Sequence, residues 1–266
     1  MFTITEATVT SSMIATGMSA PGARQLTYWL HPPARSQATA TALLLTFCST
    51  RQAAFYEEPQ AIPAHLFAAA GHAVVSFDLP NHGAQINHFG QGIAGFCAAF
   101  CAGTDPFAQF IEQAQAVIHA CLAQGIGQGG IVACGVSRAG YCALRLAAAE
   151  PRIRAVAALA PVTDWRRLQE FAAVRDQPTV AALALEHWAA QLAGQALYVA
   201  IGHDDARVGS DACVRFVLRL LEARAAQRDQ LPALQFHLVD APGHTLADPW
   251  RRAGAEFLLA QIKDNR

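Results

Sequence analysis

Short apolar runs alternate with longer amphipathic stretches along almost the whole of this 266-residue chain. Ala42–Phe47, Ala73–Phe77, Ile131–Gly135, Ile153–Val162 and Ala196–Gly202 are apolar at nearly every position, as expected of strands covered on both faces. Thr3–Thr10, Gln25–His31 and Leu234–Asp240 alternate more and complete a set of about eight strands. Helices are expected at Gln60–Ala70, residues 106–123, Arg138–Glu150, Asp211–Ala226 and Leu246–Ile262. Over 106–123, Phe107, Phe110, Ile111, Ala114, Val117, Ile118, Cys121 and Leu122 keep a 3.6-residue period. Strands that alternate with helices require crossover connections. The predicted fold is therefore α/β: one domain with a mostly parallel central sheet and helices on both faces. Residues 164–195 fit this rhythm poorly and are expected to form a small helical cap of two pieces split around Pro178. The Gly-rich, charge-free stretch from Pro80 to Thr104 is expected to be a long loop.

Composition removes several classes of function. A net charge of −1 argues against a nucleic-acid partner, which needs clustered Lys and Arg. The cations are 18 arginines and a single lysine, Lys263, which excludes a phosphate-loop lysine and argues against Schiff-base chemistry. The seven cysteines contain no Cys-x-x-Cys pair and mostly sit in apolar runs, so they are read as buried thiols in a reducing compartment. Met1 to Ala20 lacks a basic region and an apolar core, unlike a signal peptide. No run of 18 apolar residues suggests a membrane span. A cytoplasmic location is expected. Charge is uneven, with nine charged side chains in residues 1–137 and thirty in 138–266. Two readings of the charge-free Leu79–Thr104 stay open: simple burial, or a surface through which copies of the chain associate as a homo-oligomer.

The segment Ile131-Val-Ala-Cys-Gly-Val-Ser-Arg-Ala-Gly140 runs from a buried strand through Ser137 directly into a helix. So sharp a turn needs small residues two positions before and after the serine, because the two backbones nearly touch. Gly135 and Ala139 satisfy this, with Gly140 adding room. The turn pushes the serine hydroxyl above the sheet edge, beside the free N–H groups of the helix start.

At this point the sequence resembles the α/β-hydrolase family, in which a serine, an acid and a histidine follow successive late strands in that order. The resemblance covers about residues 25–262. Asp205, in Ile201-Gly-His-Asp-Asp-Ala-Arg-Val208, matches the family's Gly-x-x-Asp-x-x-Val turn, and Asp204 competes with it for the acid role. Asp164 is a further candidate acid, or the N-cap of the cap. His244, in Ala241-Pro-Gly-His-Thr245, is similar to the family's Gly-His turn. The resemblance implies a Ser137–His244–Asp205 triad that needs neither metal nor cofactor. It also implies an oxyanion hole formed by the Arg138 N–H and a donor in Phe47-Cys-Ser-Thr50, either Ser49, which is favoured, or Cys48. The family's usual His-Gly is missing there. Asp78-Leu-Pro-Asn-His-Gly83 resembles a turn that is mainly structural in the family.

The expected reaction is hydrolysis of a small-molecule ester, thioester, lactone or amide. A non-catalytic binding protein of the same fold and an acyltransferase remain as alternatives. Trp165, Phe171 and Trp188 of the cap, with Phe96 and Phe100, would either wall a substrate pocket or pack in the core. The Ser-Arg-Ala-Gly elbow and Pro161-Val-Thr-Asp-Trp165 resemble the prolyl-oligopeptidase-like and dienelactone-hydrolase-like branches most. With only about 25 residues ahead of the resemblance, a small ester is expected over a peptide. Two patterns mislead. Gly125-Ile-Gly-Gln-Gly-Gly130 fits a dinucleotide fingerprint in composition, but it stands after a helix and before a strand, the reverse of what that site needs. His72, His82, His88 and Asp78 match no metal-ligand spacing.

Overall fold

The computed structural model describes residues 2–11, 24–34, 41–225 and 231–263. Ala226 of the expected helix, Met1 and residues 12–20 lie outside them. In chain order the described elements are β1 (Thr5–Ser11), β2 (Arg24–His31), β3 (Leu43–Phe47), α1 (Arg51–Tyr56), α2 (Ile62–Ala69), β4 (Ala73–Phe77), α3 (Gly92–Cys101), α4 (Pro106–Ala123), β5 (Ile131–Val136), α5 (Arg138–Ala149), β6 (Ile153–Leu159), α6 (Pro178–Ala181), α7 (Ala189–Leu192), β7 (Ala196–Gly202), α8 (Ser210–Ala225), β8 (Leu234–Val239) and α9 (Asp248–Lys263).

The strands form one eight-stranded sheet in the order β1-β2-β4-β3-β5-β6-β7-β8. β1 and β2, and β2 and β4, pair antiparallel, and every other neighbouring pair is parallel. Alternate residues of each inner strand face opposite layers. Leu43, Leu45 and Phe47 join the layer built with Phe107 and Phe110 of α4, Leu144 of α5 and Phe216 of α8. Leu44 joins the other, with Phe67 of α2 and Leu258 of α9. This two-sided cover explains the unbroken apolar runs. Helix α4 starts on Pro106, and the Asp105 side chain accepts from the N–H groups of Phe107 and Ala108, a cap worth about 1 kcal/mol.

The topology also sets where a ligand can sit. From β3 the chain leaves through α1 and α2 on one face, and from β5 through α5 on the other. β3 and β5 are neighbours, with Phe47 opposite Gly135. Neighbouring strands whose connections part to opposite faces leave a crevice at their carboxyl ends. Ser49 and Ser137 flank that crevice.

Three local expectations are corrected. The stretch Pro80–Thr104 is not one loop, because α3 occupies Gly92–Cys101 and buries Ile93, Phe96 and Ala99. Its glycine content reflects close approach rather than freedom: a Cβ on Gly95 would stand 2.5 Å from the Gly90 carbonyl oxygen. Helix α1, absent from the sequence reading, is short and capped by Thr50, whose side chain accepts from the Ala53 N–H. Residues 164–195 form 3-10 turns at Trp165–Arg167, Gln169–Phe171 and Leu185–Trp188 together with α6 and α7, rather than two longer helical pieces. Their apolar residues Leu168, Phe171, Val180, Leu185 and Leu192 dock one by one into the α4–α5 layer, so no continuous amphipathic helix is selected. Of the large apolar side chains left exposed among the described residues, only Ile86 falls within Leu79–Thr104. Across Leu79–Thr104 eight residues are buried and twelve are exposed, so burial accounts for only part of the missing charge. No helix among the described residues is long and apolar enough to cross a membrane.

Candidate active site

Strand β5 carries the chain to Ser137, which takes φ 58° and ψ −122°, and α5 begins at the next residue. A non-glycine residue in this region costs on the order of 1–3 kcal/mol and persists only where its surroundings fix it. Here the Ser137 N–H donates to the Leu159 carbonyl at 2.8 Å, and the Ser137 carbonyl accepts from Val162 at 3.1 Å and Tyr141 at 3.2 Å. The turn is also sterically exacting. A Cβ on Gly135 would lie 2.2 Å from the Ala139 carbonyl oxygen, and one on Gly140 would lie 3.1 Å from both the Gly135 oxygen and the Pro161 side chain. The Ser137 side chain makes no N-cap bond to α5. Its hydroxyl turns outward instead, 2.9 Å from Nε2 of His244.

His244 follows β8, and Asp205 follows the adjacent β7. His244 Nδ1 lies 2.7 Å from Oδ2 of Asp205, so a buried carboxylate, an imidazole and a hydroxyl form one hydrogen-bonded chain. Since a carboxylate only accepts, Nδ1 carries the proton and Nε2 presents its lone pair to the serine. Asp205 Oδ1 is occupied by the N–H groups of Arg207 at 3.1 Å and Val208 at 3.2 Å. Ser210 supports the same turn, accepting from the Asp205 N–H and donating to the Gly202 carbonyl. The structure separates the two neighbouring acids: Asp204 faces away from the imidazole and accepts the Gly243 N–H at 2.9 Å, holding the histidine loop. Asp164 caps the turn at Trp165 and pairs with Arg166, apart from this chain of bonds.

As the first residue of α5, Arg138 has an N–H with no partner inside the helix. Its guanidinium reaches across the β3–β5 crevice and donates to the Ser49 hydroxyl. Both residues expected around an oxyanion thus flank the elbow. Cys48 beside them is buried, which pushes its thiol up to about 12. The sequence did not reveal that the Arg138 side chain, and not only its N–H, belongs to this region. Nor did it reveal that Arg207 stands nearby, held by Glu170 at 2.6 and 2.8 Å. His82 is buried on the other flank. Its Nδ1 donates to the Pro80 carbonyl at 2.9 Å, its Nε2 has no partner, and burial reinforced by Arg138 pulls its pKa down to about 4. Asp78 is taken up structurally by the Arg51 N–H and guanidinium and the Ala84 N–H.

The five aromatic residues considered for a pocket wall separate. Phe96, Trp165 and Phe171 are 0% exposed, and Trp165 contacts Phe96, Phe107, Tyr141 and Phe171 with ring centroids 4.8–5.7 Å apart. Their surfaces are consumed by one another, so they serve as core. Trp188 sits elsewhere, under the Arg145 guanidinium at 3.7 Å. Phe100 is partly buried against the same core.

No protein-family model and no curated protein matches the chain. Solved structures do. An esterase from Pyrococcus furiosus superposes with a TM-score of 0.67 at 14% identity, covering 98% of this chain and 93% of that one. A cold-adapted esterase from an Arctic intertidal metagenomic library gives 0.66 at 16%, covering 97% and 94%. The acylaminoacyl peptidase of Pyrococcus horikoshii gives 0.66 at 12%, covering all of this chain but 42% of its own. The chain spans only 36–42% of the length of the larger peptidases it matches. With a mostly parallel eight-stranded sheet and helices on both faces, the chain has the α/β-hydrolase fold.

Proposed function

We propose that this protein is a serine hydrolase that cleaves a small carboxylic ester, thioester, lactone or amide through an acyl-enzyme. The observation that carries the reading is the continuous hydrogen-bonded chain from Asp205 through His244 to Ser137. In the proposed mechanism His244 Nε2 takes the hydroxyl proton as Ser137 Oγ attacks the carbonyl carbon. Asp205 fixes the tautomer and stabilises the imidazolium that forms. The carbonyl oxygen, now negative, is held by the Arg138 N–H and by a main-chain donor at Ser49 or Cys48. The Ser137 N–H is not available for this, being spent on Leu159. The imidazolium gives its proton to the leaving group. Water, deprotonated by the same imidazole, then releases the acid and restores Ser137.

Residues 164–195 act in this reading as a small cap, bringing Glu170 and through it Arg207 to the rim of the site. Two of the matched structures are esterases, which supports an ester substrate. A fluorophosphonate probe tests the proposal. Labelling of the wild type, and none of Ser137→Ala or His244→Ala, is expected. A folded wild type that stays unlabelled and turns over no activated ester refutes it and leaves a binding protein. Product partitioning toward an added alcohol would identify an acyltransferase.

A further inference from the structure

The Arg138 guanidinium is a cation in a place where cations are costly. It lies against the elbow and the loop after β3, and burial pulls its pKa down. It has five N–H donors. One hydrogen bond, to the neutral Ser49 hydroxyl, uses an Nη, and the buried Nε has no partner. Among the described residues no ion pair reaches it. The carboxylates around the site are already committed: Asp78 to Arg51, Glu170 to Arg207 and Asp205 to His244. Arg207 stands near enough to oppose the Arg138 charge, and Glu170, which already holds Arg207, near enough to favour it. Arg138 is half-buried, and a guanidinium partly withdrawn from water is normally matched by a carboxylate in bidentate geometry. An anchor for Ser49 alone would need only a neutral donor.

We infer that the Arg138 side chain binds a carboxylate carried by the substrate close to the scissile carbonyl, so that the preferred substrates are anionic esters, thioesters or amides. This rests on the hydrolase reading above. The residue after the nucleophile then has two separate functions. Its N–H holds the oxyanion, and its guanidinium selects the substrate by charge.

Monomethyl glutarate and methyl pentanoate place the same methyl ester on chains of similar size, with and without a carboxylate on the acyl side. Carboxymethyl butyrate and ethyl butyrate do the same on the leaving-group side. In at least one pair, wild-type kcat/KM is expected to favour the anion by roughly tenfold or more. Arg138→Met keeps the N–H, so it should erase that preference, and Arg138→Lys should retain part of it. A purely structural role for the side chain would lower both members of a pair alike and leave their ratio unchanged. Binding of glutarate to Ser137→Ala, followed by calorimetry and lost in the Ser137→Ala/Arg138→Met double variant, needs no turnover. If the Met variants fail to fold, competitive inhibition of the wild type by glutarate and not by pentanamide replaces them. Turnover with no preference in either pair and no glutarate binding overturns the carboxylate site while the hydrolase stands. Glutarate binding through Arg138 with no ester turned over upholds the site and removes the hydrolase.

Discussion

Replacing Asp205 by asparagine tests the proposed mechanism at the point where the geometry is most specific. The side chain keeps its shape, and the N–H groups of Arg207 and Val208 still demand an acceptor at the Oδ1 position. The amide oxygen must go there, which turns the amide NH2 toward His244 Nδ1, 2.7 Å away in the wild type. Two donors cannot share that line, so the imidazole adopts the other tautomer and Nε2 carries the proton. An Nε2–H pointing at Ser137 Oγ cannot accept its proton. Two losses follow: a charge-assisted hydrogen bond, about 1.5–3 kcal/mol, and the attraction between carboxylate and imidazolium, roughly 4 kcal/mol at 4 Å and an effective dielectric of 20. They overlap, and about 5 kcal/mol in total corresponds to a rate loss on the order of 10⁴. That is the scale known for a tautomer-inverting exchange in Ser-His-Asp enzymes. The assay is initial-rate hydrolysis of an activated ester, with a melting curve to show that the fold is kept. Asp204→Asn is the internal control. Its carboxylate touches only the Gly243 N–H, and the amide oxygen can do the same, so a change within about tenfold is expected. Retention of more than a tenth of the activity in Asp205→Asn, or a collapse confined to Asp204→Asn, refutes the assignment.

Three further outcomes are expected. Ser137→Gly should be more stable than Ser137→Ala by about 1 kcal/mol, a few degrees in Tm, because both lack the hydroxyl and only alanine keeps the strain at φ 58°; equal melting temperatures would show that the elbow is unstrained. His82, held near 4 by burial first and Arg138 second, is neutral when folded and charges near 6.5 when unfolded. It therefore contributes stability in full above about pH 6.5 and loses it as pH falls toward 4, by roughly 3 kcal/mol; urea titrations across this window should show a shallower decline in His82→Asn. Finally, an aromatic disulfide reagent should react quickly with the exposed Cys101 in the native protein and not with Cys48, Cys121, Cys134, Cys142 and Cys213, whose burial pushes their thiols up to about 12; rapid native labelling of any of these five would contradict the packing.

What could be read from sequence divides along a physical line. Gly135, Ala139 and Gly140 announced the elbow because a backbone that folds back within a few residues leaves no room for a Cβ, and that exclusion is local. Asp205 and His244 were picked out by the likeness of their turns to those of the α/β-hydrolase family, and each follows a strand that the sequence pattern had placed. Helix α3 was missed because glycine has two meanings. At Gly95 it permits contact with the Gly90 backbone, and the Ile93–Phe96–Ala99 spacing beneath it carried the helical period all along. The aromatic residues could not be placed because a pocket wall and a core use the same side chains, and only the mutual contacts of Trp165 with its neighbours decide. Arg138 marks the limit most clearly. Its backbone position was fixed by the turn, but its guanidinium ends on Ser49, 89 positions away, across a crevice that exists only once β3 and β5 pair. A short side chain acts where the backbone puts it, so its chemistry is written nearby. A long charged one acts where its far end finds a partner, and at the proposed carboxylate subsite of Arg138 that partner belongs to the substrate.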